Sequence, residues 1–320
     1  MGAFIVRRLL VNVLVFVAIS IGVFVLVRAA PGDPIQVMVD PVQMQSGGEE
    51  FIARKRAELG LDQPLPVQYA TWLKRAVTGD LGTSYVSRRP VTEVLTERLG
   101  PTVLLMGTAL LIGLLLGLVV GTVAAVRRNS LVDYSATLLS LFTISVPTFF
   151  LGIAAIYVFA LTLGVLPSAG MSTPGSGGGG GDILRHLVLP AGILGLSMAG
   201  PLTRYVRSGL IGELGADYAR TAEAKGATPR RVVVRHALRN SLIPLITVLM
   251  IYIPQMLGGA VVVEQVFAWP GMGQLVVSSI SQLDYPVIVG FALYISLLVL
   301  ACNLAADLLY AVADPRVRLG

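Results

Sequence analysis

The chain has 320 residues and a formal net charge of +6; 55% of its residues are hydrophobic and only 13% are charged. Because soluble domains carry about 25% charged residues, this composition excludes a soluble globule, and the high hydrophobicity excludes a disordered chain. One cysteine and two histidines exclude a disulfide framework and a thiolate or imidazole metal cluster, which leaves a protein of the lipid bilayer.

Six apolar stretches are long enough to cross the bilayer as helices, because a helix needs about 20 residues to span roughly 30 Å of hydrocarbon. The run Leu110–Leu116 lacks the alternation of a membrane β-strand. The predicted fold class is therefore an all-α polytopic membrane protein with six transmembrane helices. The first stretch is longer than a signal-peptide core and is interpreted as an uncleaved span, with a cleaved signal peptide as the less favoured alternative. The predicted spans are approximately 9–29, 103–126, 137–163, 187–207, 242–263 and 286–309.

Basic residues set the predicted orientation, because cytoplasmic loops carry an excess of lysine and arginine. With an inner N-terminus, 14 of the 24 basic residues fall in the inner segments, which are 1–8, 127–136, 204–241 and 310–320. Both termini are therefore predicted to face the cytoplasm, and the positive charge is interpreted as membrane orientation and not as nucleic-acid binding. The predicted division is 1–29 (N-terminal segment and first span), 30–99 (extracytoplasmic region), 100–310 (five-span core with the cytoplasmic loop 208–241) and 311–320 (cytoplasmic tail).

Two segments rich in proline or glycine lie on the predicted outer side. Pro31–Pro34 is predicted to stop the first helix, because proline cannot continue a helix and restrains the residue before it. Gly177–Gly181 is predicted to be a flexible connection. A phosphate-binding loop is rejected there, since no strand is predicted before it and no Gly-Lys-Ser/Thr ending follows.

The inner loop 208–241 carries the most specific local pattern. Asp217 is predicted to cap a short helix, and Gly226 is predicted to end that helix in the left-handed conformation. Thr228 and Pro229 then begin a second helix, with threonine as the cap and proline at the first helical position. The small residues of the first helix are interpreted as leaving room for the groove of another protein; a plain surface loop that only sets topology is the alternative.

Several strings of the sequence resemble one family. The segment Asp217–Gly226, followed by Arg239–Pro244, resembles the cytoplasmic loop of ABC importer permeases, which runs Glu-Ala-Ala, three residues, Gly, nine residues, Ile-x-Leu-Pro. Gly226 and Leu238 fit that loop, whereas Arg220-Thr221-Ala222 stands in place of Glu-Ala-Ala and Arg239 in place of the proline. This variant resembles the dipeptide/oligopeptide/nickel subfamily, and within it the first of two permease subunits. The other strings that match are Pro31–Pro34, Leu59–Pro64, Gly79–Ser84, Glu264–Phe267, Pro270–Gly273, Asp284–Pro286, Asp307–Tyr310 and Asp314–Arg318.

The resemblance implies an ABC type I importer permease fold, in a subunit that forms the translocation path for dipeptides or oligopeptides in a bacterial or archaeal cytoplasmic membrane. It implies a heterodimer with a second homologous permease, two ATPase subunits or one fused ATPase, and an extracytoplasmic solute-binding protein. It implies no cofactor, metal site or catalytic residue; no lysine is followed by serine or threonine as a P-loop requires. Coupling to the ATPase is expected through the loop 217–244, and specifically through Asp217, Tyr218, Ala219, Arg220, Thr221, Ala222, Glu223, Ala224, Lys225 and Gly226.

Neutral polar residues and helix-breaking residues within the spans are the candidates for lining the path, although each is also explained as a packing kink. Glu264 and the other charged residues near the spans are predicted at span ends, so no coupling ion is evident. A self-sufficient channel or secondary carrier is therefore the less favoured alternative, and a nickel or glutathione importer is the alternative within the family. The candidate path residues are Ser145, Pro147, Ser197, Pro254, Gln255 and Gly258.

Overall fold

The computed structural model describes residues 2–29, 53–54, 56–57, 62–175, 177–241, 245, 249 and 260–313. This part of the chain is built of helices and turns, with one isolated antiparallel bridge between Thr83 and Pro90. The predicted all-α class is therefore confirmed. The helices are α1 (Gly2–Ala29), α2 (Leu65–Val77), α3 (Val91–Val126), α4 (Leu131–Ser145), α5 (Thr148–Ala155), α6 (Gly180–Leu214), α7 (Asp217–Ala224), α8 (Pro229–Arg231), α9 (Leu238–Ser241), α10 (Met272–Ser281) and α11 (Tyr285–Ala313).

Four of the described helices contain a stretch long and apolar enough to cross a membrane. These stretches lie in α1, α3, α6 and α11, which match the first, second, fourth and sixth predicted spans. The fifth predicted span, 242–263, lies mostly outside the described residues, and residues 260–266 are helical where the description resumes. The count of six spans and the side on which the termini lie therefore stay predictions.

The third predicted span is not one straight helix. α4 and the segment Thr148–Thr162, which begins with α5, are long and apolar enough to cross a membrane only as a pair, and they are bent by 100° at the break between them. The predicted span 137–163 is therefore interrupted within its length, at the proline that the sequence offers as a candidate break. The cause is Pro147, because Val146 before it is held in an extended conformation (φ −87°, ψ 126°) that a helix cannot include. A π-helical segment, Ile156–Thr162, continues from α5.

The structure describes the surroundings of the two segments rich in proline or glycine to different extents. α1 is described up to Ala29, and the string Pro31–Pro34, which is predicted to stop it, lies outside the described residues. The glycine tract is only partly a connection. Gly179 occupies the N-cap position of α6, and Gly180 and Gly181 are already helical, so the prediction of a flexible connection over all five glycines is wrong at its C-terminal end.

The chain forms two compact units, of which the first combines residues 1–100 with 274–301. Its best-defined tertiary contact joins two of the family strings. The Ser84 hydroxyl donates to Oδ2 of Asp284 at 2.5 Å, and the backbone N–H of Tyr85 donates to Oδ1 of the same carboxylate at 2.9 Å. Ser84 and Asp284 are both buried, so this carboxylate fixes the turn that follows α10 to the hairpin before α3.

The second unit, 101–273 with 302–318, is organised around α6. Its apolar core includes Leu105 of α3 and Leu202 of α6, together with Phe267 and Trp269. α4 and α5 pack against α6 as well. Since lipid supplies little hydrophobic driving force between helices, close packing has to hold such a bundle together.

Glycine is what allows α3 to approach α6 so closely. Gly113, Gly117 and Gly121 recur every four residues on one face of α3, and a Cβ at any of them would lie within 3.0 Å of an atom of α6. At Gly117 that atom is the Cβ of Leu202, 2.6 Å away. Small residues at this spacing are typical of tightly packed membrane helices.

An ion pair joins α4 to α6 in the same unit. The Arg207 guanidinium donates through Nε to Oδ1 of Asp133 and through Nη2 to Oδ2 at 2.7 Å. The backbone N–H of Asn129 donates to Oδ2 as well, at 2.9 Å. The Asp133 side chain is only 3% exposed, and a bidentate pair of this kind fixes the relative orientation of two helices.

Replacing Asp133 by asparagine is expected to destabilise the second unit, because the amide keeps the shape but leaves Arg207 without its carboxylate. We expect the melting temperature of the purified protein in detergent to fall by several degrees. The control is Glu93→Gln, which removes one partner of the exposed pair between Arg89 and Glu93 and is expected to change stability little. Equal losses in the two variants would contradict a structural role for the Asp133 pair.

Candidate functional site

The candidate coupling helix, α7, is a separate two-turn helix between α6 and α8. It begins one residue earlier than its predicted cap implies. Ala216 is the N-cap residue in an extended conformation, its carbonyl accepts from the N–H groups of Ala219 and Arg220, and no side-chain cap bond is present at this end. The prediction that Asp217 caps the helix is therefore wrong: Asp217 is the first helical residue, where its carboxylate lies near the positive end of the helix dipole.

The C-terminal end of α7 agrees with the sequence. Gly226 has φ +85°, and its N–H donates to the carbonyl of Glu223 at 2.8 Å. The N–H of Ala227 donates to the carbonyl of Ala222 at 3.1 Å. This pair of bonds is the Schellman motif, which requires a left-handed residue and so favours glycine. The prediction that Gly226 ends this helix in the left-handed conformation is confirmed.

The chain then re-enters a helix where Thr228 and Pro229 predict it. Thr228 is the N-cap residue and Pro229 the first helical residue, although no side-chain bond from the threonine hydroxyl is present at this cap. The backbone carbonyl of Thr228 accepts from the N–H groups of Arg231 and Val232 instead. α8 continues through the π-helical segment Val232–Ala237 into α9.

One face of α7 is turned toward its own chain. Ala219 is 1% exposed and Ala222 is half-buried, and α7 contacts both α6 and the segment Val232–Ala237. The small size of Ala219 therefore serves packing within this subunit, which revises the interpretation that it leaves room for a partner. The opposite face is exposed and consists of Asp217, Arg220, Thr221 and Ala224, which the helical repeat places on one side.

Tyr218 ties α7 to both of its neighbours. Its hydroxyl donates to the Glu213 carboxylate at the end of α6, and the Asn240 side chain of α9 lies near the same phenol. Partial burial and the bond to Glu213 raise the pKa of Tyr218, so the phenol stays neutral at physiological pH. The remaining predicted coupling residues, Glu223 and Lys225, are exposed.

The structure does not gather the candidate path residues into one site. Ser145 and Pro147 are exposed on either side of the break between α4 and α5. Ser197 is half-buried in α6, where its hydroxyl donates to the carbonyl of Leu194 at 2.7 Å. Pro254, Gln255 and Gly258 lie outside the described residues. Lining of the path by these residues therefore stays a prediction.

Sequence reasoning missed the buried carboxylate of Glu264, which it placed at a span end. Glu264 is fully buried. Its Oε1 accepts from the Thr102 hydroxyl at 2.7 Å, and its Oε2 accepts from the N–H of Gly273 at 2.7 Å. Thr102 Oγ1 in turn accepts from the N–H of Met272 at 2.8 Å. The start of α10 is thus capped by Thr102 and Glu264, which are 162 positions apart in the sequence. The glycines in the matching string Pro270–Gly273 were the only signal that the sequence offered for this arrangement.

The chain resembles known proteins along its whole length. Residues 113–319 match the family described as binding-protein-dependent transport system inner membrane component, and residues 1–106 match the N-terminal region of the same membrane components. The oligopeptide transport system permease protein AppB of Bacillus subtilis is 42% identical over 318 residues, which cover 99% of each chain. The glutathione transport system permease protein GsiC of Salmonella typhimurium is 38% identical over 315 residues, which cover 98% of each chain.

A solved structure agrees with the fold. A chain of the MetNI methionine ABC transporter in an inward-facing conformation superposes with a TM-score of 0.56 at 20% identity, over 69% of this chain and 96% of that one. At this identity the match concerns the fold alone, and it confirms the predicted importer permease fold. The chain therefore belongs to the family of binding-protein-dependent transport system inner membrane components, the permease subunits of ABC importers, in which ATP is hydrolysed by a partner and not by the permease.

Proposed function

We propose that this chain is the first of two permease subunits in an ATP-driven importer of short peptides in a bacterial inner membrane. It crosses the membrane six times with both termini in the cytoplasm, and it pairs with a second homologous permease. Two ATPase subunits, or one fused ATPase, bind on the inner side, and an extracytoplasmic protein delivers the substrate. The peptide class is supported by two relatives that cover the whole chain, one named for oligopeptides and the other for glutathione, which is itself a tripeptide.

The exposed ridge of α7 carries the coupling part of the proposal. This ridge consists of Asp217, Arg220, Thr221 and Ala224 on the face opposite the buried Ala219. A helix that is held by one face and exposed on the other offers a rigid surface to a partner, and charged residues on such a surface orient the complex more than they strengthen it. We infer that the ATPase receives this ridge.

The internal contacts of α7 explain how movement at the ridge reaches the membrane. Tyr218 bonds to Glu213 at the end of α6, and α7 also contacts the segment Val232–Ala237 that leads into α9. A displacement of α7 by the closing ATPase dimer is therefore passed to the helices on both sides of it. Pro147, Ser197 and the other candidate path residues would then be exposed alternately to the two sides of the membrane.

Replacing Ala224 by tryptophan tests the ridge directly. The side chain at this position is exposed in the isolated permease, so the subunit should fold normally. Within a packed interface the added volume costs about 1–3 kcal/mol, which corresponds to ATPase binding weaker by about five- to 140-fold. The measurements are ATPase binding to the purified permease and ATP-driven peptide uptake in proteoliposomes that contain the complete importer.

The matched control is Ala154→Trp, which places the same side chain at an exposed position of α5 within the apolar pair α4–α5. We expect this variant to bind the ATPase and to transport normally. Unchanged ATPase binding by Ala224→Trp would refute the coupling role of α7. Uptake by the purified chain alone, without an ATPase, would instead favour the channel or carrier alternative.

The substrate alternatives within the family are separated by a different measurement. The complete importer, with its own binding protein, should take up labelled dipeptides or oligopeptides, and unlabelled peptides should compete with that uptake. Competition only by glutathione would identify a glutathione importer. Uptake of nickel that peptides do not inhibit would contradict the peptide assignment.

A further inference from the structure

α2 is a surface helix whose two sides differ in chemistry. None of its residues is buried. Its apolar residues include Leu65, Val67 and Val77, which are 49%, 48% and 80% exposed. Its last turn carries Lys74 and Arg75, both exposed. A helix of 13 residues is about 20 Å long, too short to cross roughly 30 Å of hydrocarbon.

Aromatic residues attach α2 to α1. The Tyr69 hydroxyl and the Ser20 hydroxyl are hydrogen-bonded at 2.7 Å. The ring of Phe24 lies 5.5 Å from the ring of Tyr69 and 5.7 Å from that of Trp72, between centroids, and the two α2 rings are 5.9 Å apart. Ser20 and Phe24 are the buried residues among the described side chains of α1. This cluster therefore fixes where α2 lies along α1.

The depth of that attachment follows from the helical rise. The apolar stretch of α1 is Val6–Leu26. At 1.5 Å per residue, Phe24 lies about 3 Å and Ser20 about 9 Å inside its C-terminal end. Interfacial amphipathic helices place their apolar face about 5–10 Å into the boundary between headgroups and acyl chains. The attachment thus holds α2 at the depth of the membrane interface.

The distribution of side chains around α2 agrees with this depth. The helical repeat places Ala70, Leu73 and Val77 beside the face that carries Tyr69 and Trp72, so apolar character extends past the contact with α1. Thr71, Lys74 and Arg75 lie on the other side, together with Val67. Tyrosine and tryptophan are enriched at membrane interfaces, and basic residues there attract anionic headgroups.

We propose that α2 lies in the outer or inner interface of the bilayer that α1 crosses, with its apolar edge in lipid and with Lys74 and Arg75 on the phosphates of anionic lipid headgroups. This proposal does not depend on the transport function proposed above. It requires only that α1 spans the membrane. At this depth the bilayer covers the apolar face of α2, so a protein from the aqueous phase could not reach it. The depth of α2 and the positive charge of Lys74 and Arg75 therefore favour lipid over a protein as the partner.

Fluorescence quenching in nanodiscs tests the depth. The chain has two tryptophans, and Trp269 is fully buried in the second unit, so the difference between the unmodified chain and Trp72→Phe reports on Trp72 alone. We expect phosphatidylcholine brominated near the headgroup to quench Trp72 more strongly than phosphatidylcholine brominated near the chain end. Absence of quenching by both lipids would show that Trp72 faces water or protein, and it would overturn the proposal.

Two substitutions test the two sides of the helix. Val77→Asp is expected to reduce quenching of Trp72 by the headgroup-brominated lipid, whereas Thr71→Asp, on the polar side, is expected to leave it unchanged. Brominated phosphatidylglycerol should quench Trp72 more than brominated phosphatidylcholine, and Lys74→Gln should reduce that preference by about fivefold, the effect of one basic residue near an anionic surface. Equal quenching by brominated phosphatidylglycerol and brominated phosphatidylcholine would overturn the assignment of the basic residues to anionic headgroups. A change in Trp72 emission that occurs only when a binding protein is added would overturn it as well.

Discussion

Replacing Gly117 by leucine is expected to prevent α3 from packing on α6. A Cβ at this position would lie 2.6 Å from the Cβ of Leu202 and 3.3 Å from its backbone carbon. Neither atom is the end of a flexible side chain, so the helices themselves would have to separate. Overpacking of a tight core costs about 1–3 kcal/mol, and more where the backbone must move. We expect most of the protein to be lost from the membrane or to elute as aggregate in detergent.

The matched control for this variant is Gly107→Leu on the same helix. A Cβ at Gly107 would meet nothing within 4 Å, and the residue is exposed within an apolar span, where leucine suits the lipid. Yield and monodispersity in detergent should therefore remain normal. If Gly107→Leu were as damaging as Gly117→Leu, the loss would come from replacing a helical glycine and not from the contact with Leu202.

Replacing Gly271 by alanine is expected to break the network around Glu264. The added Cβ would lie 2.1 Å from Oε1 and 2.2 Å from Cδ of that carboxylate. The carboxylate cannot simply rotate away, because Thr102 and the N–H of Gly273 hold its two oxygens. Leaving buried hydrogen-bonding groups unsatisfied costs about 1–3 kcal/mol each, so one methyl group is expected to cause a large fall in melting temperature.

Trp269 reports on this network, since its backbone N–H donates to the backbone carbonyl of Glu264 at 2.8 Å, and its indole N–H donates to the carbonyl of Pro101, next to Thr102, at 2.9 Å. Thermal unfolding followed through tryptophan emission should show the loss in Gly271→Ala. Gly192→Ala is the control, because a Cβ there would meet nothing within 4 Å and alanine favours a helix more than glycine does. A melting temperature for Gly271→Ala equal to that of the control would contradict the tight contact.

The helices that cross the lipid could be predicted from the sequence. A long apolar stretch in a membrane has to satisfy its own backbone, so hydropathy alone identifies α1, α3, α6 and α11. The break at Pro147 was harder to predict, because a proline within a span can kink a helix or end it. Pro190 and Pro201 lie inside α6, and the helix continues through both of them.

The candidate site was predictable where the backbone conformation requires one residue type, as at Gly226. The start of α7 was not predictable in this way. The aspartate side chain indicated Asp217 as the cap, but Ala216 takes the extended cap conformation instead. The direction of Ala219 and the burial of Glu264 depend on contacts between distant segments; Thr102 and Glu264 are separated by 162 positions. Spacing along a single sequence does not encode such contacts.

The connection that leads into α6 is rich in glycine. Gly175, Gly177 and Gly178 have φ between +66° and +83°, and a methyl group on any of them would meet no neighbour within 4 Å. The space around these three positions is therefore open. Among descendants of one ancestral gene, insertions and deletions should accumulate here while α3 and α6 keep their register, which makes this stretch a natural place to graft an epitope tag without disturbing the rest of the subunit.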